Sequence, residues 1–497
     1  LLTGQPEAQQ GGLLVLTMKQ LEQMQAGVTS KGGQLAEARL SSWQALMERT
    51  RQGVEHFFAA LSLMLSEYHA QHHGGPRSWN EGVEPSLRLS SKVRNGPGWK
   101  GVEQAWAELE SGLPALIARL ERLIALLQGT QVLGEGQRAG GAKKGASSEG
   151  RPSLEGPAGA LAVELRGVCF RLRRFVEQGT LAMSQPRKEM VYWVKPPLPP
   201  PPPRAASGAY TNPPPESPPP EPSPSVHAAP AHAGPLLQNT LFREHRAAVL
   251  VASALAVSGE FDYAIERYGL ASRPPETISV APEEQPQTLL YLPEDVAEPN
   301  TPHYQRHLDA MLVQLATALK GETVVLFASH AALRAGYAGI KATLEERDIL
   351  VLAQGIDGSL RQLWQTFRSQ ERVVLLGAGS FWENTDLLGD GPACVVVTRL
   401  PFPALSDPPL AGRAEGYHDQ LRQFVIPQAA LRLRHALNRL AWGGSRRNAL
   451  VLFDKRVQAK DYGGVFLNSL PRCTTRQGSV SLAPEHVAGW MRGEAYE

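Results

Sequence analysis

The sequence predicts an all-helical module followed by a doubly wound α/β domain built on a largely parallel sheet. Three observations carry this reading. Apolar residues recur at spacings of three and four through much of the first 180 residues. A proline-dominated stretch then interrupts the chain. Beyond it, short apolar runs alternate with amphipathic segments, the grammar of βαβ units.

Residues 12–70 are predicted helical, from Leu14, Met18, Leu21 and Met24 through Trp43, Leu46 and Met47 to Val54, Phe57, Leu61 and Met64. A polar, glycine-rich stretch from His72 to Lys100 interrupts them. Ala105, Leu109, Leu113, Leu116, Leu120 and Ile124 then mark a second helix. Residues 130–156 read as a mobile Gly/Ser/Lys/Glu loop, and Leu161 to Phe175 as a third helix. The apolar stripes are read as helix–helix core. Met190–Val194 has strand composition. From Pro196 to Pro224 proline dominates, with Pro199–Pro203 unbroken, which gives an extended tether without backbone donors. Its P-x-x-P spacings would suit an SH3-type partner, but a semi-rigid spacer is the preferred reading.

Strands are then predicted at Ala248–Leu255, Thr288–Leu292, Thr323–Ala328, Ile349–Ala353, Val373–Leu376, Cys394–Thr398 and, last, Ala449–Phe453. Helices fall between them at Tyr304–Leu319, Ala331–Glu346, Leu360–Phe367 and Gln428–Trp442.

A chain of 497 residues has room for two or three domains, and its 42% hydrophobic and 20% charged content is that of ordinary globular protein. The net charge of +2 gives no global nucleic-acid signature, so any such surface must be a local patch. Cys169, Cys394 and Cys473 are too scattered for a disulfide framework, a zinc site or an iron–sulfur cluster. Free thiols fit a reducing, cytoplasmic compartment. No apolar run of about 18 residues offers a membrane span. The first residue is Leu1 and no signal peptide follows, so the chain is expected to begin in mid-protein.

Chemistry-bearing strings are sparse. The chain has no G-x-x-x-x-G-K-[ST] phosphate loop, no acidic D-E-x-H block to hold magnesium and no GxGxxG fingerprint. Six strings nevertheless stand in order: Leu326-Phe327-Ala328-Ser329; Gln354-Gly355; Leu376-Gly377-Ala378-Gly379-Ser380-Phe381-Trp382-Glu383 with Asp386; Arg399-Leu400-Pro401-Phe402-Pro403; Ser406-Asp407-Pro408; and Pro427-Gln428-Ala429-Ala430-Leu431-Arg432-Leu433-Arg434 leading to Arg439-Leu440.

This series resembles the second motor domain of DinG/XPD-like superfamily-two DNA helicases, with its motifs IV, V and VI, from about Leu236 to Cys473. The resemblance implies a RecA-like fold, ATP and Mg2+ as cofactors and single-stranded DNA as partner. ATP would sit between two motor domains, with the phosphate loop supplied by an upstream motor half on the same or another polypeptide. By position, Arg439 is the catalytic arginine that neutralises charge on the transferring phosphate. Glu383, Asp386, Gly379, Ser380 and Gln428 would bind nucleotide or couple its state to DNA. Ser329 and Gln354, at carboxyl ends of strands, would touch nucleic acid. Trp382 and Cys394 read as packed core.

The resemblance also divides the chain. Residues 1–189 would be a helical arch-like domain, and 190–235 a strand and proline-rich linker. Residues 236–285 would be a returning piece of the first motor domain, with Leu250–Leu255 at its Ser-Ala-Thr motif, and 286–497 the second motor domain. Several motifs are worn. Ala252-Ser253-Ala254 lacks the family threonine, Asn384-Thr385 precede Asp386, Asn438 replaces a glycine and Trp442 replaces the second motif VI arginine. The expected function is the C-terminal part of an ATP-dependent DNA helicase, inactive alone. The alternative is a non-catalytic nucleic-acid-binding or scaffold relic of such a motor.

Overall fold

The computed structural model describes residues 34–73, 86–127, 157–197, 223–280, 287–299, 301–383, 394–442 and 447–494. The predicted helical residues 12–33, the loop at 130–156, most of the proline tether and Asp386 lie outside them. The chain divides into two compact units, with the boundary between Ala231 and His232.

In the first unit three long helices follow the predicted periodicity: α1 (Gln34–His73), α2 (Pro97–Leu127) and α3 (Pro157–Met183). Helix α2 packs on both α1 and α3. Phe57, Leu61, Trp106, Leu113 and Leu165 form their shared core, because residues three and four apart fall on one helix face. Trp106 meets Phe57 edge-on at 5.3 Å and Phe175 at 5.7 Å. The strand expected at Met190–Val194 forms as β2 (Met190–Lys195). It pairs antiparallel with β1 (Leu87–Arg88) and with β3 (Ser225–Pro230). Tyr192, Val194 and Val226 join the helical core. Both ends of the segment read as linker are thus built into this unit, since their alternate side chains have an apolar face to bury.

The second unit holds a seven-stranded, wholly parallel sheet in the order β10-β4-β9-β8-β5-β7-β6. Its strands are β4 (Thr288–Pro293), β5 (Thr323–Leu326), β6 (Leu350–Ala353), β7 (Val373–Gly377), β8 (Cys394–Val397), β9 (Asn448–Leu452) and β10 (Thr474–Gly478). Central strands such as β7 and β8 are buried along their whole length, because helices cover both faces. One face packs against α4 (Pro302–Ala318), α5 (His330–Glu345) and the helix Ala483–Arg492. The other packs against α6 (Leu360–Ser369), α7 (Ile426–Trp442) and the helix Gly463–Ser469. This is the RecA-like doubly wound architecture expected.

Two expectations fail. Ala248–Leu255 forms no strand: the segment has no sheet partner, and Val249 and Val251 are 85% and 88% exposed. An apolar run becomes a strand only where a neighbouring edge accepts its backbone. Ala449–Phe453 is not the last strand either. β10 follows at Thr474–Gly478 with mostly exposed side chains, so it lacks the apolar run that marks a central strand. Among the described residues, no helix is long and apolar enough to cross a membrane.

Candidate functional site

In a parallel sheet every strand delivers its following loop to the same edge, which is where α/β proteins place ligands. Here that edge gathers the loops after β5, β6, β7, β8 and β9.

The loop after β7 is shaped by two glycines. A Cβ on Gly377 would lie 2.2 Å from the Phe381 ring, so only glycine lets that ring fold back over the strand end. Gly379 has φ of +57°, a left-handed conformation that glycine adopts without strain. The chain then makes a single 3₁₀ turn, Gly379–Trp382. Trp382 is buried, and its indole N–H donates to the Phe327 carbonyl at 2.8 Å, which ties the loop to the end of β5. It is a packed core aromatic, as read from the sequence. Cys394 is likewise fully buried in β8, and burial pushes its thiol far above the usual range.

Gln354, directly after β6, spans the same loop. Its Oε1 accepts from the Ala378 N–H at 3.0 Å and its Nε2 donates to Ser380 Oγ at 3.2 Å. From the other side Arg432, on α7, donates through Nη2 to the Gly379 carbonyl at 2.9 Å. The same nitrogen lies 3.7 Å from Glu383, and the guanidinium stands 5.8 Å from the Trp382 ring centre. Burial holds the Arg432 pKa below its ordinary value, against the pull of Glu383. Its Nε is buried with no hydrogen-bond partner among the described residues. The fold thus brings Gln354, Gly379, Ser380 and Glu383 into one cluster around Arg432. Arg432 stands in the last of the ordered strings, and the resemblance gives it no role. Its place four residues after Gln428 on one helix face was the available signal.

Gln428, one turn earlier on α7, accepts from the Tyr263 hydroxyl at 2.9 Å. Ser329 caps α5, its hydroxyl accepting from the Ala332 N–H at 3.2 Å. Arg439 lies near the end of α7, and its side chain is outside the described residues, as is the whole of Asp386.

Helix α7 also grips the segment expected as a strand. The Ser253 carbonyl accepts from Asn438 Nδ2 and, at 3.3 Å, from Arg434 Nε. Ser253 Oγ lies 3.3 Å from His435 Nδ1. Asn438, which replaces a glycine of the resembled motif, therefore supplies a side-chain donor at that position. Beneath the edge, buried Asp454 joins two more loops. It accepts from the Leu400 N–H at 2.8 Å and from Arg456 at 2.6–3.2 Å.

The described residues contain no group of three His, Cys, Asp or Glu side chains placed to hold a metal ion. They do not form a protein cage for magnesium.

Residues 312–473 match the Helicase C-terminal domain family. The chain is 28% identical over 277 residues to a Bacillus subtilis (strain 168) protein named 3'-5' exonuclease DinG, covering 53% of this chain and 30% of that one. It is 30% identical over 227 residues to the ATP-dependent DNA helicase YoaA of Escherichia coli (strain K12), covering 45% of this chain and 35% of YoaA. These matches span about a third of the length of those relatives. A solved XPD helicase structure aligns over 73% of this chain and 61% of its own, at 13% identity and a TM-score of 0.39. Residues 312–473 thus match a helicase C-terminal domain, and the C-terminal region of this chain is similar to DinG and YoaA.

Proposed function

We propose that this chain is the C-terminal part of an ATP-dependent DNA helicase, which couples ATP hydrolysis to movement on single-stranded DNA. The observation that carries the reading is the cluster at the sheet edge, Gln354, Gly379–Glu383 and Arg432, lying inside the region that matches the helicase family. A phosphate loop is missing from the sequence, so the reading assigns it, with the magnesium ligands, to an upstream motor half. Arg439 then faces the transferring phosphate and offsets the charge that builds there. Glu383 and Asp386 report nucleotide state to the strand of DNA. Gln354 and Gln428 hold the loop and helix that bear these groups, while Ser329 and the β6 edge approach nucleic acid.

The test combines subtraction and restoration. The purified chain should show no DNA-stimulated ATP hydrolysis, and robust turnover by it alone would overturn the reading. Joined to a phosphate-loop segment from the same coding sequence, it should turn over ATP. Arg439→Ala should then lower kcat by about 10³-fold or more if the arginine acts as a finger.

A second reading has its own support. Trp442 and Asn438 stand where the family carries an arginine and a glycine, and Asn438 is engaged with Ser253. On that reading the chain is a non-catalytic, nucleic-acid-binding relic. Absence of turnover in the restored protein, with DNA binding retained, would favour it.

A further inference from the structure

We propose that the outer face of α3, in the first unit, is a second contact surface for single-stranded nucleic acid. The inference rests on the reading that this chain handles single-stranded DNA.

Arg166, Phe170, Arg173 and Arg174 fall at i, i+4, i+7 and i+8, so they share one face of the helix, with Arg171 on its flank. Phe170 is 62% exposed and Val163, one further step along that face, 53% exposed. A phenylalanine so open to water buries only a minor part of its ring; its neighbours Val168, Cys169 and Leu172 are the ones that pack inward. Arg174 stands 5.8 Å from the Phe170 ring centre, close enough to hold a cation against its edge or face. Arg173 is paired with Glu121 of α2. Arg166, Arg171 and Arg174 make no ion pair among the described residues, and of the three Arg174 is the one that stands beside the Phe170 ring.

Beside this face an open cleft runs between α2 and α3. Ile124 and Cys169 lie in it, Arg166, Arg173 and Phe170 line its side, and Glu121 supplies an acceptor. Single-stranded nucleic acid offers what this surface lacks: a flat base to stack on Phe170 and regularly spaced phosphates for the guanidiniums. Double helix hides its base faces, and an acidic peptide would use the cations while leaving the ring bare. The net charge of +2 for the whole chain conceals the patch, because acidic residues elsewhere cancel it.

The experiment uses the full chain with a fluorescent oligothymidylate and measures affinity against salt. Phe170→Ala should weaken binding by about tenfold, the scale of one lost base–aromatic stack. Replacing Arg166, Arg171 and Arg174 together by Gln should lower the slope of log affinity against log salt by about 2, from roughly 0.7 per phosphate contact on a single strand. All four positions are on a solvent-facing helix surface, and circular dichroism checks that helix content is kept. As an independent measurement, ultraviolet cross-linking of a bromouridine-substituted strand to the unaltered chain should label a peptide within 157–183. Binding that persists with unchanged affinity and slope in these variants overturns this proposal and leaves the motor reading standing. Equal displacement of the strand by polyglutamate of the same charge also overturns it, since charge alone would then suffice. No binding of the strand at low salt overturns both readings.

Discussion

Asp454 illustrates how single residues at the sheet edge are held. Its side chain is fully buried, yet the Leu400 N–H and the Arg456 backbone and guanidinium satisfy it. Removing the carboxylate leaves Arg456 beneath the loops with no counter-charge. Asp454→Ala is therefore expected to destabilise the second unit by roughly 3–5 kcal/mol, read from urea unfolding. Asp309 behaves in the opposite sense. It lies on α4 against Gly339 of α5, where an added Cβ would come within 2.3 Å of its carboxylate. Burial raises its pKa to about 6, against the lowering effect of the hydrogen bond from Gln305. The folded chain thus holds this proton more tightly than the unfolded one. Its contribution is complete below about pH 4 and is lost as pH rises through 6. Asp309→Asn should be the more stable protein at pH 7.5, with the gap closing by pH 4. Parallel melting curves across that range would refute the shift.

Among the elements, helices and buried strands were readable because their periods differ, 3.6 residues against uninterrupted burial. Helix α2 and strands β5, β7 and β8 fall close to where the apolar pattern places them. The failures also have a cause. The run Ala248–Leu255 has strand composition, but strand formation depends on an edge elsewhere in the fold, and this segment instead hangs from α7 through Ser253. β10 has exposed, polar side chains, and its place depends on β4 offering a free edge. Close contacts between elements were equally invisible. Gly179 of α3 packs so near Trp106 that a Cβ would meet its ring at 1.9 Å. Gly179→Ala is expected to cost about 1–3 kcal/mol through overpacking of the helical unit. An unchanged near-ultraviolet signal and unfolding midpoint would show that Trp106 yields freely.

For the whole molecule, the first unit contributes a stapled helical stack and the second a complete doubly wound sheet. The units divide between Ala231 and His232, directly after β3, which pairs with β2 across the proline-rich stretch. On the proposed reading, ATP turnover needs a phosphate loop joined to the second unit, so the restored, two-part protein is the proper object for the Arg439→Ala measurement.

By itself the sequence determined the α/β class, the order of the helicase-like strings and the lack of a phosphate loop, since these are written in local periodicity and short motifs. Only the tertiary structure decided that Gln354 and Arg432 grip that loop from two sides, 78 positions apart in the chain. It also decided that Asn438 would take hold of Ser253, and that Phe170 would face water among arginines. Each of these is a meeting of residues distant in sequence, or a choice of which face is covered. Both are settled by packing, which no local pattern encodes.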